Sequence, residues 1–133
     1  PISQWMKLDR KKRWDPVIAR KDFWSSMPWL PEGKKLFNYV RKYKPHILSA
    51  YVEHANDPNC IPGKAKWAMR NTGIPMNRIN LVMRSQKQTY ASPASILIDD
   101  YDKNTKEFTA RGGTGITFKN ASQTIAELKK LGF

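Results

Sequence analysis

Ser95-Ile96-Leu97-Ile98-Asp99-Asp100 is the stretch on which the fold turns. It is a short apolar run of strand length that stops abruptly at two acids. A run this brief and this apolar reads as a strand buried on both faces. Its acids then stand at the carboxyl end of the strand, where open α/β sheets bind their ligands. Charge left uncompensated at a sheet end is costly, so an acidic pair at that place points to use rather than accident.

Working outward, the same punctuation recurs. His46-Ile47-Leu48-Ser49-Ala50 and Ile79–Met83 are strand-length apolar runs upstream, and Gly115-Ile116-Thr117-Phe118 is one downstream. Helical periodicity separates them. It begins at Lys34 with Leu36, Phe37 and Val40 on one face and stops at Lys44-Pro45; it returns over Gly63–Asn71, ended by Gly73. Residues 121–131 carry Ile125, Leu128 and Leu131 on one face, closed by Gly132. Strands alternating with helices predict an α/β fold with a mostly parallel sheet covered on both faces. Phe23–Gly33, with two prolines and a glycine, reads as an unusually aromatic loop, and Asn56-Asp57-Pro58-Asn59 as another. Residues 1–15 read as partly helical, with Trp5 and Leu8 on one side, the basic run Arg10-Lys11-Lys12-Arg13 after them, and a break at Asp15-Pro16.

Composition narrows the class. The 133 residues are 40% hydrophobic and 26% charged, too apolar for a disordered chain and suited to one domain. The single cysteine, Cys60, excludes an internal disulfide framework and a cysteine-cluster zinc site, and two histidines, His46 and His54, argue against a histidine-rich metal site. No apolar run approaches the ~20 residues of a membrane span, and no signal peptide is visible, so a soluble cytoplasmic protein without a membrane partner is expected. The net charge of +13 is the unusual feature, and residues 1–44 contribute twelve bases against four acids. Such a field attracts polyanions: nucleotides, nucleic acid, acidic protein surfaces or anionic lipid.

Three strand ends carry the chemistry. Ser49 ends the first strand, Arg84 and Lys87 follow the second, and Asp99-Asp100 end the third. Alone, the serine reads as a turn residue and the lysine as a solvated side chain. Together they offer a hydroxyl donor, a cation and a carboxylate pair, which is what phosphoryl transfer asks of a protein: donors for phosphoryl oxygens and carboxylates for Mg²⁺.

Ile47-Leu48-Ser49-Ala50, Arg84-Ser85-Gln86-Lys87 and Ile96-Leu97-Ile98-Asp99-Asp100 resemble, in order and type, motifs II, III and IV of haloacid-dehalogenase-like (HAD) phosphatases. Within that superfamily the chain is most similar to the 5′(3′)-deoxyribonucleotidase-like group. A loop resembling Phe23-Trp24 to Leu30-Pro31-Glu32-Gly33 precedes motif II there, a helix resembling Gly63-Lys64-Ala65-Lys66-Trp67 precedes motif III, and a segment resembling Gly112-Gly113-Thr114-Gly115-Ile116 follows motif IV. The resemblance spans roughly residues 22–131. It implies a Rossmannoid three-layer sandwich, with residues 1–33 a remnant of the cap region plus the aromatic loop and 34–133 the core portion. Ser49 would bind a phosphoryl oxygen, and Lys87, with Lys64 as second choice, would offset charge beside the nucleophile. Asp99 and Asp100 would hold Mg²⁺, and Arg84, Phe23 and Trp24 would contact substrate, the aromatics as walls of a nucleobase pocket or simply as core. The glycines at 112, 113 and 115 fit a tight turn, since their spacing matches no phosphate-binding loop.

One departure is large. The family's nucleophile comes from an Asp-x-Asp motif ending a first, central strand, and no such motif on a strand precedes Ser49. Asp100-Tyr101-Asp102 has the spacing but sits at motif IV. The resemblance therefore implies a sheet lacking its central first strand, with the strands at 46–49 and 95–98 facing a gap that Val17-Ile18-Ala19 is too short to fill. Two functions follow as expectations. The first is a Mg²⁺-dependent phosphomonoester hydrolase acting on a nucleoside monophosphate, present as its carboxyl-terminal part and completed by a leading segment or partner chain. The second is an inactive HAD-like domain reused as a basic nucleic-acid-binding or assembly component.

Overall fold

The computed structural model describes residues 23–51 and 57–133. Helix α1 (Gly33–Val40) leads through a 3₁₀ turn to strand β1 (Ile47–Ala50); helix α2 (Cys60–Thr72) leads to β2 (Ile79–Val82). A 3₁₀ helix, Arg84–Tyr90, precedes β3 (Ile96–Asp99); α3 (Asp102–Ala110), β4 (Thr114–Thr117) and α4 (Ala121–Lys130) complete the order. The fold is a small α/β arrangement of alternating helices and parallel strand pairs. β1 pairs with β2 in register Ile47 to Ile79, and β3 with β4 in register Ile96 to Thr114. Among the described residues these are two separate two-stranded sheets.

Local chemistry explains where the elements start and stop. α2 begins three residues earlier than the periodicity from Gly63 predicts. Pro62 sits in its first turn, where its missing N–H would have had no intrahelical partner anyway. The helix ends at Gly73, whose φ of 71° is the left-handed conformation that glycine adopts without penalty, and its N–H closes on Met69 O at 3.0 Å. Asn120 caps α4 by accepting from Gln123 N–H at 2.8 Å. Helix α3 has no counterpart in the sequence reading. Its sequence is almost wholly polar, and it buries Asn104, Thr105 and Phe108, so the apolar repeat that announces a helix is absent.

The core lies in patches between these layers. Trp24 and Cys60 join the aromatic loop to the start of α2, with Phe23, Met27 and Tyr51 against them. A Cβ on Gly63 would lie 2.6 Å from Trp24 Cβ, so glycine is what lets loop and helix approach. A second patch gathers Ala68, Ile74 and Ile79, with Phe37, Ile47, Trp67 and Leu81, between helices and β1–β2. Around β3 and β4, Leu97, Phe108, Ile116 and Leu128 are buried. Gly112, with φ 95°, makes the expected turn. Gly113 and Gly115 do something else: a Cβ on either would strike the Phe108 ring or the Thr105 backbone, so both serve close packing of α3 on β4. Among the described residues no helix is long and apolar enough to cross a membrane. The helical reading of residues 1–15, the basic run Arg10–Arg13 and Val17-Ile18-Ala19 lie outside the described residues.

Candidate functional site

Parallel strands deliver their last side chains to one edge, and the polar cluster of this protein is built there. Ser49 lies in β1, Asp99 ends β3, and the 3₁₀ helix after β2 brings Lys87 across to β3. The Lys87 ammonium donates to Asp99 Oδ2 at 2.7 Å. Their side chains are only 10% and 6% exposed, so this is a buried ion pair. Asp99 Oδ2 also accepts from Asn104 Nδ2 at 3.2 Å, and Oδ1 accepts from Tyr101 N–H at 2.9 Å. Burial opposes the carboxylate's charge, but the Lys87 hydrogen bond and charge, helped by Tyr101 and Asn104, hold its pKa below the usual value.

A second lysine completes the edge. From the first turns of α2, the Lys64 ammonium donates to Ser49 Oγ at 3.2 Å and to the Ala50 carbonyl. It stands 5.3 Å from the centre of the Trp24 ring. Burial lowers the Lys64 pKa from its ordinary 10.5; Cys60 works against that shift, and the positive charge of Lys87 adds to it. The two ammonium groups thus belong to one electrostatic neighbourhood, and among the described residues no carboxylate pairs with Lys64.

The remaining sequence candidates divide. Asp100 is exposed beside Asp99; partial withdrawal from water and the neighbouring carboxylate raise its pKa. Trp24 is a buried core residue, its indole N–H donating to Asp57 Oδ2 at 3.0 Å, and Phe23 packs edge-on against it at 4.9 Å. Arg84 is turned toward α3, donating to Asn104 Oδ1 at 2.9 Å and to Glu107 Oε1 at 3.0 Å. It braces the helix that carries Asn104. Asn104 and Glu107 escaped the sequence reading for the reason that α3 did.

Magnesium needs hard oxygen ligands, and commonly takes one or two carboxylates plus waters and substrate oxygens. Asp99 retains acceptor capacity on Oδ1, and Asp100 is open, so the pair fits that minimal set. A cation would also relieve their mutual repulsion. Among the described residues no three His, Cys, Asp or Glu side chains gather as a metal cluster. Chemically, the edge offers cationic and hydroxyl donors on one side and two carboxylates on the other. Comparison with protein-family models, with curated proteins and with solved structures finds no match to this chain.

Proposed function

We propose that this edge binds the phosphate of a small phosphomonoester, a nucleoside monophosphate first among them. In this reading the chain is the phosphate- and metal-binding part of a nucleotidase-like HAD phosphohydrolase, a three-layer sandwich whose central strand, with its nucleophilic aspartate, would lie between β1 and β3. The observation that carries the reading is the joint placement of Lys64 on Ser49 and Lys87 on Asp99 at the ends of parallel strands. Ser49 Oγ and the Lys64 ammonium, both partly buried, would donate to phosphoryl oxygens, and the ammonium's charge strengthens its bond. Lys87 would hold Asp99 ionised and oriented, as its hydrogen bond already does. Asp99 and Asp100 would hold Mg²⁺, which when bound supplies Lewis-acid stabilisation of charge on a phosphoryl oxygen.

Calorimetric titration with a deoxyribonucleoside monophosphate and with the bare nucleoside, both in Mg²⁺, tests this. The monophosphate should bind, the nucleoside should not, and Ser49→Ala and Lys64→Met should each weaken binding at least tenfold. Equal affinity for both compounds, or for the variants, would sink the proposal. The net charge of +13 favours a second reading, a polyanion-binding component. Its signature is duplex affinity that falls steeply with salt, with a slope that flattens when Arg10–Arg13 are replaced by Gln.

A further inference from the structure

Helix α1 runs into β1 through the 3₁₀ turn Arg41–Tyr43, so its end stands at the amino end of that strand, away from Ser49 and Lys64. The end of α4 meets it there. Tyr39 Oη donates to the Phe133 carbonyl at 2.9 Å, and the Tyr43 and Phe133 rings pack edge to face with centres 5.2 Å apart. The Phe133 N–H donates in turn to Leu128 O at 3.0 Å, which ties that ring to the end of α4. Despite these contacts Tyr43 remains 43% exposed and Phe133 40%.

Positive charge gathers around the two rings. Residues 33–51 contain five lysines and arginines and no acid. Arg41, Lys42 and Lys44 are exposed there, as are Lys129 and Lys130 in the last turn of α4, and among the described residues none of the five forms an ion pair. The Lys42 ammonium lies instead 5.2 Å from the centre of the Tyr43 ring and 5.7 Å from that of Tyr39. A ring holds a cation in place without neutralising it, whereas a carboxylate would cancel its field. Bases at helix ends offset the helix dipole, and that alone would explain the lysines. It does not explain two aromatic rings left open among them. Cations beside open rings suit a ligand that carries phosphates and flat faces together. A single-stranded nucleic acid carries both. A duplex keeps its bases stacked on one another and presents phosphates, and an anionic lipid headgroup has no planar face.

We propose that the junction of α1 and α4 is a binding surface for single-stranded nucleic acid, with Tyr43 and Phe133 stacking bases and the cations around them pairing with phosphates. On binding, Lys42 exchanges its ring contacts for a phosphate, a stronger partner, and frees the Tyr43 face for a base. The inference rests on the charge behind the polyanion reading, but needs neither Arg10–Arg13 nor the phosphate edge. Fluorescence anisotropy of a labelled twelve-nucleotide oligothymidylate with the full chain tests it, beside a duplex of the same length and phosphatidylserine vesicles. The oligothymidylate should bind at least tenfold more tightly than the duplex. Tyr43→Leu should weaken it at least fivefold with the salt slope unchanged, and Tyr43→Phe should retain it. Lys129→Gln with Lys130→Gln should flatten the slope. The wild type gives a second readout that no folding defect disturbs: bound oligothymidylate should slow acetylation of Lys42, Lys129 and Lys130 at least threefold and leave the exposed Lys66 and Lys106 unchanged. Equal affinity for duplex and single strand, or for Tyr43→Leu and the wild type, overturns the stacking surface and leaves the polyanion reading standing. Absence of binding to either nucleic acid overturns both. Binding lost on replacing Arg10–Arg13, with no shielding of Lys42, places the site elsewhere and overturns the proposal, and binding to the vesicles in place of the oligothymidylate overturns it in favour of a membrane.

Discussion

Separating the two halves of the Lys87–Asp99 pair should cost this protein more than any other polar substitution at the site. Asp99 keeps two donors when Lys87 is changed to Met, Tyr101 N–H at 2.9 Å and Asn104 at 3.2 Å. That compensation places Lys87→Met near the low end for a broken buried pair, about 3 kcal/mol. Asp99→Asn instead leaves an ammonium whose side chain is 10% exposed and has lost its carboxylate, a loss of about 4 kcal/mol. Lys87→Met with Asp99→Asn removes both charges, and the new amide can still accept from Tyr101. The double variant should therefore lie no further below the wild type than Asp99→Asn alone, about 4 kcal/mol, a coupling of about 3 kcal/mol within the site. Urea denaturation of the four proteins at pH 7 measures the cycle. A second reading comes from pH. The folded pKa of Asp99 is lowered, so its contribution is complete above the ordinary value of 3.8 and is lost as pH falls through the folded value. Lys87→Met should shrink that acid-side loss. Single variants each costing under about 1 kcal/mol and adding independently would refute the buried-pair argument, since that is the behaviour of a solvated surface pair.

Gly115→Ala should destabilise by about 3 kcal/mol, because the new Cβ would lie 2.3 Å from the Thr105 carbonyl oxygen, which is backbone and cannot turn aside. Gly73→Ala, with open space around it but φ of 71°, should cost only about 1 kcal/mol, and equal melting temperatures for the two variants would contradict the packing account. Trp24→Phe removes the donor to buried Asp57 Oδ2 and should cost about 2 kcal/mol by the same denaturation assay. Lys64 has a lowered folded pKa, so between that value and 10.5 the unfolded chain binds more protons and stability rises with pH; Lys64→Met should flatten that rise, read from urea midpoints across the alkaline range.

The elements legible in the sequence are those whose burial leaves an apolar rhythm. Ile96–Asp99 and Ile79–Val82 stand within a residue of where their short apolar runs predict them, and α4 follows Ile125 and Leu128. Helix α3 shows the converse. It packs through Asn104 onto Asp99 and Arg84, and through a 2.7 Å hydroxyl contact between Thr105 and Thr117, with Phe108 as its only large apolar anchor. A helix held by hydrogen bonds has no hydrophobic period to read. The cationic half of the site was only partly legible for a related reason. Lys64 enters the sequence reading only as the second choice that the resemblance offers, and it is the packing of α2 on β1 that turns it onto Ser49.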